Sequence, residues 1–492
     1  MTSILGIDIG TSSIKAMLLD INEGVIGTES KDYDVMIPKL NYAEQDPELW
    51  WESLLDVLKR LKEKYTVSYK NIQSIGFSGQ MHGLVVVDKD GNSIRPAILW
   101  NDQRSEVECQ RLKEIIGKKD MREILHNRIF TGFSCASLLW LKEHEPDNFQ
   151  KIDKIMQPKD YIRYKMTGII GAEVSDASAT LMFDIGKRDW AWAIIQKCGF
   201  PTNIFPKCHE STTVQGTITR ECSLKTGISE TAKAVYGMGD QQAQSIGNGA
   251  IREGLIVSNI GTGAQISTYS NTDNYDRELR IHTFCHGFNK AYTIYGAILN
   301  GGMSLKWLKN NVLHDESFEH MSELATEVEP GSDGMIYLPY LTGERTPHMN
   351  PNAKAVFFGM QLGHEEKHFA RAVMEGVTFA LKDSLEIFDE MGIKSEKIIA
   401  SGGGSASHIW LQIQADIFNK EVMVCQVSEQ ACLGACIGAG VGCGLIGSVE
   451  EGCDRFVEYS ERTYFPQKDV VKKYGLYYER FKQLYRCTEC LL

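Results

Sequence analysis

The chain has 492 residues, 43% hydrophobic and 24% charged, with a formal net charge of -12. That length exceeds one ordinary core and leads to an expectation of two large domains of roughly 250 residues each, while the ordinary composition excludes a disordered or low-complexity chain. The acidic balance holds no basic block, which excludes nucleic acid or an anionic membrane as the main partner.

The first twenty residues organise the rest. An apolar run reaches Asp8, breaks at Gly10-Thr11-Ser12-Ser13 and resumes at Ile14, which predicts two short strands joined by a polar turn. Such a hairpin can hold phosphate: Gly10 allows close backbone approach, Thr11, Ser12 and Ser13 offer hydroxyls and amides, and Asp8 is placed to orient a hydrated cation. Alone, an Asp-x-Gly-Thr stretch reads better as an ordinary hairpin with a solvated aspartate. A second copy, residues 254–268 with Gly261-Thr262-Gly263 at its turn, changes that. Two such hairpins predict two similar α/β domains facing across a cleft with a nucleotide between them. The entry into a strand without a leader, and the lack of any run of membrane-helix length, give the expectation of a cytosolic protein. The 13 cysteines are scattered and mostly in apolar stretches, so most read as buried thiols. Cys487 and Cys490 have metal-ligand spacing but read as a frayed helix end.

A third strand is expected at residues 25–29. Asp46-Pro47 predicts a capped helix whose apolar face is Trp50, Leu54, Val57, Leu58, Leu61 and Tyr65. Residues 72–78 and 84–88 read as strands around Gly79-Gln80-Met81-His82-Gly83. His82 in isolation is more often a core histidine; between two glycines and beside Gln80 it is expected to face the cleft. Trp100-Asn101-Asp102-Gln103-Arg104 reads either as a solvated loop or as an aromatic face with polar groups for a polyhydroxylated ligand. Asp240 follows a strand and a glycine pair at the junction of the halves, where an acceptor must meet the nucleotide; a helix N-cap is its competing role. The domain boundary is placed at 248, giving domains 1–248 and 249–492. In the second half a long helix over residues 369–388 stops at Gly392. A strand at 397–400 then enters Ser401-Gly402-Gly403-Gly404 and a helix at 408–418, which favours the adenosine end of a nucleotide site over a dinucleotide fingerprint. Residues 431–444 predict a closely packed small-residue helix.

These stretches resemble the FGGY family of carbohydrate kinases over nearly the whole chain. The resemblance is carried by residues 6–12, 78–83, 94–102, 158–161, 338–348 and 401–404, and by a signature running from Ala355 through His368 to Glu375. It implies a duplicated, actin-like (ribonuclease H-like) two-domain ATPase fold with a central cleft, and an ATP- and Mg-dependent kinase for the terminal hydroxyl of a ketose. The branch it is closest to acts on D-xylulose. On that resemblance Asp8 helps hold Mg; Gly10, Thr11, Ser12, Lys15, Gly261 and Thr262 bind phosphates; and Gly302, Gly403, Gly404 and Ser407 lie near the adenosine. Gln80, Met81, His82, Trp100, Asp102 and Gln241 are the expected sugar contacts, with Asp240 as catalytic base. A homodimer is an open assembly state. Three departures stand out: Ser137 where lysine is usual, Gly239-Asp240-Gln241-Gln242 where Gly-Asp-Asn is usual and a glycerol kinase resemblance enters, and Ile260-Gly261-Thr262-Gly263 for Leu-Gly-Thr-Ser. Rival readings are a kinase for ribulose, sedoheptulose or glycerol, supported by Gln241 and opposed by Gln80-Met81-His82, and a silent sugar-responsive binding protein, which would be expected to have lost Asp8, Asp240 or a hairpin.

Overall fold

The computed structural model describes residues 2–315 and 317–491. It is built on two sheets with the same internal plan. In the first, β1 (Ser3–Ile9) pairs antiparallel with β2 (Ser13–Asp20), which pairs antiparallel with β3 (Gly24–Asp32), while β4 (Ile72–Gly79) lies parallel on the other side of β1. Beyond β4 come β5 (Val214–Thr217) and β6 (Lys233–Val235), giving the order β5-β6-β4-β1-β2-β3, and the short β7 (Met238–Gly239) continues alongside β4. β3 runs longer than the expected 25–29 because its polar residues pair through the backbone with β2 at the sheet edge. Helix α1 (Pro47–Lys64) covers this sheet, started by Asp46, whose side chain accepts the Glu48 amide. It buries Trp50, Leu54, Val57, Leu58 and Leu61, each worth roughly 1.5–3 kcal/mol of transfer free energy. Helix α2 (Asp240–Gly247) follows β7 directly.

The second sheet repeats the pattern. β8 (Gly254–Ile260) pairs antiparallel with β9 (Ala264–Ser270), and β9 with β11 (Tyr292–Ile298), itself edged by β10 (His282–Cys285). β12 (Ser395–Ser401) lies parallel to β8, and β13 (Glu421–Val424) parallel to β12. Helix α3 (Glu366–Glu390) is the counterpart of α1, and α4 (Gln430–Gly442) that of α2. The core of this half gathers β8, β9, β11, α3, residues 408–418 and the helix Lys468–Glu489.

The closing helices cross the join. α4 lies on the first sheet: a Cβ on Gly6 would be 2.3 Å from the Cys432 carbonyl oxygen, and one on Gly76 1.9 Å from that of Ala435. α4 also meets α2 closely, Gly434 coming so near that a Cβ there would be 1.9 Å from the Ala243 carbonyl oxygen. Side chains at these three positions would force the helix off the sheet. A shared cluster joins Ile4, Met17 and Leu19 to Ile246, Tyr269, Cys436 and Ile437. Among the described residues no helix is long and apolar enough to cross a membrane. Cys487 and Cys490 sit exposed at the end of the last helix.

Candidate active site

Both sheets deliver a hairpin turn in the same chemical state, with carbonyls tied down and amides open. In the first, the Gly10 carbonyl accepts the Tyr33 hydroxyl at 2.7 Å and the Thr11 carbonyl accepts Gln45 Nε2 at 2.8 Å. The Thr11 hydroxyl donates to Gln80 Oε1 at 3.1 Å and accepts Trp100 Nε1 at 2.8 Å. In the second, the Gly261 and Thr262 carbonyls accept the amides of Gly302 and Met303 at 2.8 and 3.0 Å. The amides of Thr11, Ser12, Gly261 and Thr262 have no acceptor among the described residues. Successive free amides in a turn form an anion-binding concavity. The loops differ in length: residues 10–13 join the Ile9–Ile14 pair, but only 261–263 join the Ile260–Ala264 pair.

Asp8 stands at the end of β1, opposite Lys15 on β2 and Ser78 on β4. Its Oδ1 accepts the Ser78 hydroxyl at 2.6 Å. Burial pushes its carboxyl above the usual range, and the Ser78 hydrogen bond and Lys15 oppose that rise. Lys15 is paired with Glu429 at 2.7 Å.

The nucleotide-side residues converge. Gly261, Thr262, Gly302, Gly403, Gly404 and Ser407, from three separate stretches, line one cavity of about 820 Å³, within the range of small-molecule pockets. Ser407 caps the helix His408–Phe418 by accepting the Trp410 amide. Gly302 must be glycine, since a Cβ there would lie 2.6 Å from the Gly261 carbonyl oxygen. The far wall, Ser322 and Glu323 of the helix Phe318–Thr326, was not among the expected site residues; nothing in its spacing separates it from a solvated surface helix.

On the acceptor side Asp240 is the first residue of α2, and Gly239 is the N-cap. The N-cap role is therefore not the one Asp240 takes. Its carboxyl is raised well above its ordinary value, by burial first and then by the charges of Asp8 and Asp176, against hydrogen bonds from the Gln241 amide and side chain. Gln241 is in turn held by Gln265 of β9, which donates to its side-chain oxygen. His82 has φ +69° and donates from Nδ1 to the Ala179 carbonyl at 2.8 Å, its ring 4.0 Å from that of Phe133. Burial lowers its pKa to about 3. It is thus a neutral ring with the Nε2 lone pair available. Met81 packs under Gly239, and Trp100 is 36% exposed.

Two expected sugar contacts are engaged elsewhere. Gln80 is 1% exposed and spends its amide on Thr11, Gly10 and Gln45. Asp102, also 1% exposed, is held by Arg104 through two oxygens and by the Ala43 amide at 2.6 Å. Their residue types suited a ligand, and pairing between distant loops took both. Behind Asp240 lies a group the sequence did not expose: Lys159, fully buried, contacts Asp160, Glu173 and Asp176 at 3.0, 3.0 and 2.8 Å. Ser175, beside Asp176, accepts the Gly239 amide at 2.9 Å and so positions the residue before Asp240. Ser137 is buried in the helix Ser134–His144, within the apolar interior.

The N-terminal domain of the FGGY family of carbohydrate kinases matches residues 3–247, and the C-terminal domain of that family matches residues 256–443. The chain is similar to the xylulose kinase of Bacillus subtilis, 37% identical over 491 residues and covering 100% of this chain and 98% of that one. Among solved structures it is similar to a xyloylose kinase from Brucella ovis, with TM-score 0.94, 29% identity and 100% of both chains covered. It is also similar to a gluconate kinase from Lactobacillus acidophilus, with TM-score 0.93, 26% identity, and 99% and 98% covered.

Proposed function

The chain belongs to the FGGY family of carbohydrate kinases, and we propose that it transfers the γ-phosphoryl group of ATP to the 5-hydroxyl of D-xylulose. The observation that carries this reading is the pair of turns with open amides, one from each sheet, together with Asp8 and Asp240 near enough for the charge of one to raise the pKa of the other. The similarity to xylulose kinases over full length directs the choice of sugar.

The adenosine would occupy the cavity between Gly302 and Ser407, and the phosphates would run across the turns at Thr262 and Thr11. Asp8 suits a hydrated Mg2+: one carboxylate oxygen is fixed by Ser78, and the other has no hydrogen-bond partner among the described residues. Mg2+ keeps most of its waters and needs few protein oxygens. When bound it would neutralise phosphate charge. His82 Nε2 would accept a hydrogen bond from a sugar hydroxyl, with Met81 and Trp100 as walls.

In the transfer the bond from O5 to the γ-phosphorus forms as the bridging bond to the β-phosphate breaks, and the proton of the 5-hydroxyl passes to Asp240. Positioning and charge neutralisation carry most of such a reaction. An ordinary aspartate has a pKa near 3.9 against about 15.7 for water as a stand-in for the alcohol, so full prior deprotonation would cost about 16 kcal/mol. The raised pKa of Asp240 narrows that gap without closing it. Proton transfer is therefore late, and until then Asp240 orients the hydroxyl. Closure of domains 1–248 and 249–492 around both substrates would exclude water. The reading carries with it a cytosolic location, small-molecule substrates with neither nucleic acid nor membrane as partner, and a homodimer as the assembly to test.

The testing experiment is a coupled ADP-release assay with Mg-ATP across D-xylulose, D-ribulose, sedoheptulose, glycerol and D-gluconate, with a no-sugar blank. D-xylulose should have the highest kcat/KM. Preference for glycerol would make Gln241 the determinant of the acceptor, and no turnover on any would favour a sugar-responsive binding protein.

A further inference from the structure

The segment Glu344-Arg345-Thr346 enters the site from the second half. Glu344 Oε1 accepts the Leu299 amide at 3.0 Å, and Thr346 bonds Ala297 in both directions, amide to carbonyl at 3.0 Å and Ala297 amide to hydroxyl at 3.2 Å. The Thr346 hydroxyl donates onward to the Arg280 carbonyl at 2.9 Å. Arg345 is thus pinned on both sides along β11. The face of β11 carrying Tyr295 and Ala297 packs on Met81, Phe133 and Phe284. There His282 stands opposite Tyr295, their rings 5.1 Å apart, and Phe133 lies 4.0 Å from the His82 ring and 5.9 Å from that of His282. The charge of Arg345 acts on His82, His282 and Tyr295, and Tyr295 also feels Asp240.

Arg345 is half-buried, yet among the described residues its guanidinium has neither a carboxylate partner nor a hydrogen-bond acceptor. The other buried arginines are paired: Arg104 with Asp102, Arg163 with Asp160, and Arg371 with Glu375. Half-buried and still reached by solvent, this unpaired guanidinium is free to donate to an incoming acceptor. The two histidines beside it offer the opposite chemistry. His82 donates from Nδ1 to a carbonyl. His282 donates from Nδ1 to Asn127 Oδ1 at 3.0 Å, the Asn127 amide being committed to Leu125 and Thr283, and its Nε2 has no partner. Of the two, His82 Nε2 is the one open for a hydroxyl to donate to, His282 Nε2 being sealed in the interior, while Arg345 can only donate.

A ligand with hydroxyl donors and one acceptor-only oxygen complements this wall. A 2-pentulose closes its ring through O5, so the form with a free 5-hydroxyl is the open chain, which carries a free ketone. We propose that Arg345 is a specificity-determining residue, its guanidinium receiving the carbonyl oxygen of the open-chain ketose beside Tyr295 and His82. The inference rests on the reading of the chain as a ketose kinase.

The test compares wild type with Arg345→Met and Arg345→Gln in steady-state kinetics, and in calorimetric binding of D-xylulose against xylitol, which has the same carbon chain without the carbonyl. The expected result is a D-xylulose KM raised about 10- to 100-fold, an unchanged ATP KM and melting temperature, and loss of the wild-type preference for D-xylulose over xylitol. Equal weakening of both ligands, an unchanged D-xylulose KM, or a wild type that prefers D-gluconate would overturn the role for a ketone oxygen. A wild type that turns over no 2-ketose would overturn the ketose-kinase reading itself, and this inference with it.

Discussion

Lys15 and Glu429, 414 positions apart in the chain, form a 2.7 Å ion pair that ties β2 of the first sheet to the start of α4. If Lys15 serves the ATP phosphates, Glu429 competes with them for its ammonium group. The pair is about 30% exposed, 31% and 27% for its two side chains, so solvent screens it and the effect is modest. Glu429→Gln should lower the ATP KM about two- to fivefold at low ionic strength, a difference that shrinks in salt. An ATP KM that does not respond in any salt would remove Lys15 from the phosphate site.

Asp240→Asn keeps the shape of the side chain and removes its ability to take the hydroxyl proton. A fall in kcat of about three orders of magnitude or more is expected, equivalent to about 4 kcal/mol of transition-state stabilisation, with ATP affinity largely kept. Near-wild-type turnover would exclude a role as base. The same variant should melt at a higher temperature at pH 8. A carboxyl whose folded pKa is raised contributes stability below its unfolded pKa, and that contribution is lost as pH rises through the folded value.

The acid side of the pH profile separates Asp176 from a purely structural role. Asp240 must be ionised to act, and the charge of Asp176 helps hold its pKa up, so activity falls as pH drops through that raised value. Asp176 itself is pushed up to about 7, by burial first, against the pull of Lys159. Asp176→Asn removes a negative neighbour and should move the acid limb of kcat/KM to lower pH. A limb that stays in place while activity drops uniformly would make Asp176 a packing residue only.

Nucleotide and sugar binding should fail separately. Gly302→Ala places a methyl group 2.6 Å from the Gly261 carbonyl oxygen, pushing the helix Gly302–Leu308 off the second turn, and should raise the ATP KM about tenfold or more. His82→Ala removes the Nε2 acceptor and should raise the D-xylulose KM far more than the ATP KM. Equal effects of either variant on both substrates would contradict the assignment of the two subsites.

Local patterns carried much of this architecture. The helix at 408–418 matches its predicted bounds, because a glycine turn, a serine cap and apolar spacing all lie within one stretch. The two hairpins were legible because duplication repeats a local signal. Contacts between distant stretches were not. Gln80 and Asp102 look like free polar groups in a glycine-rich connection and a polar loop, yet Thr11 and the Ala43 amide claim them. Gln265 sits in a strand whose alternation says nothing of Gln241, which it holds. Burial and the charges that distant segments bring near set the chemistry of Asp240, His82 and Arg345, and neither is written in residue spacing.

The most direct measurement is 31P-1H correlated NMR of the product formed from Mg-ATP and D-xylulose. The predicted result is one phosphate ester coupled to the C5 protons, with ADP formed in equal amount. A phosphate coupled to the C1 protons, or ADP formed without a sugar ester, would contradict transfer to the 5-hydroxyl.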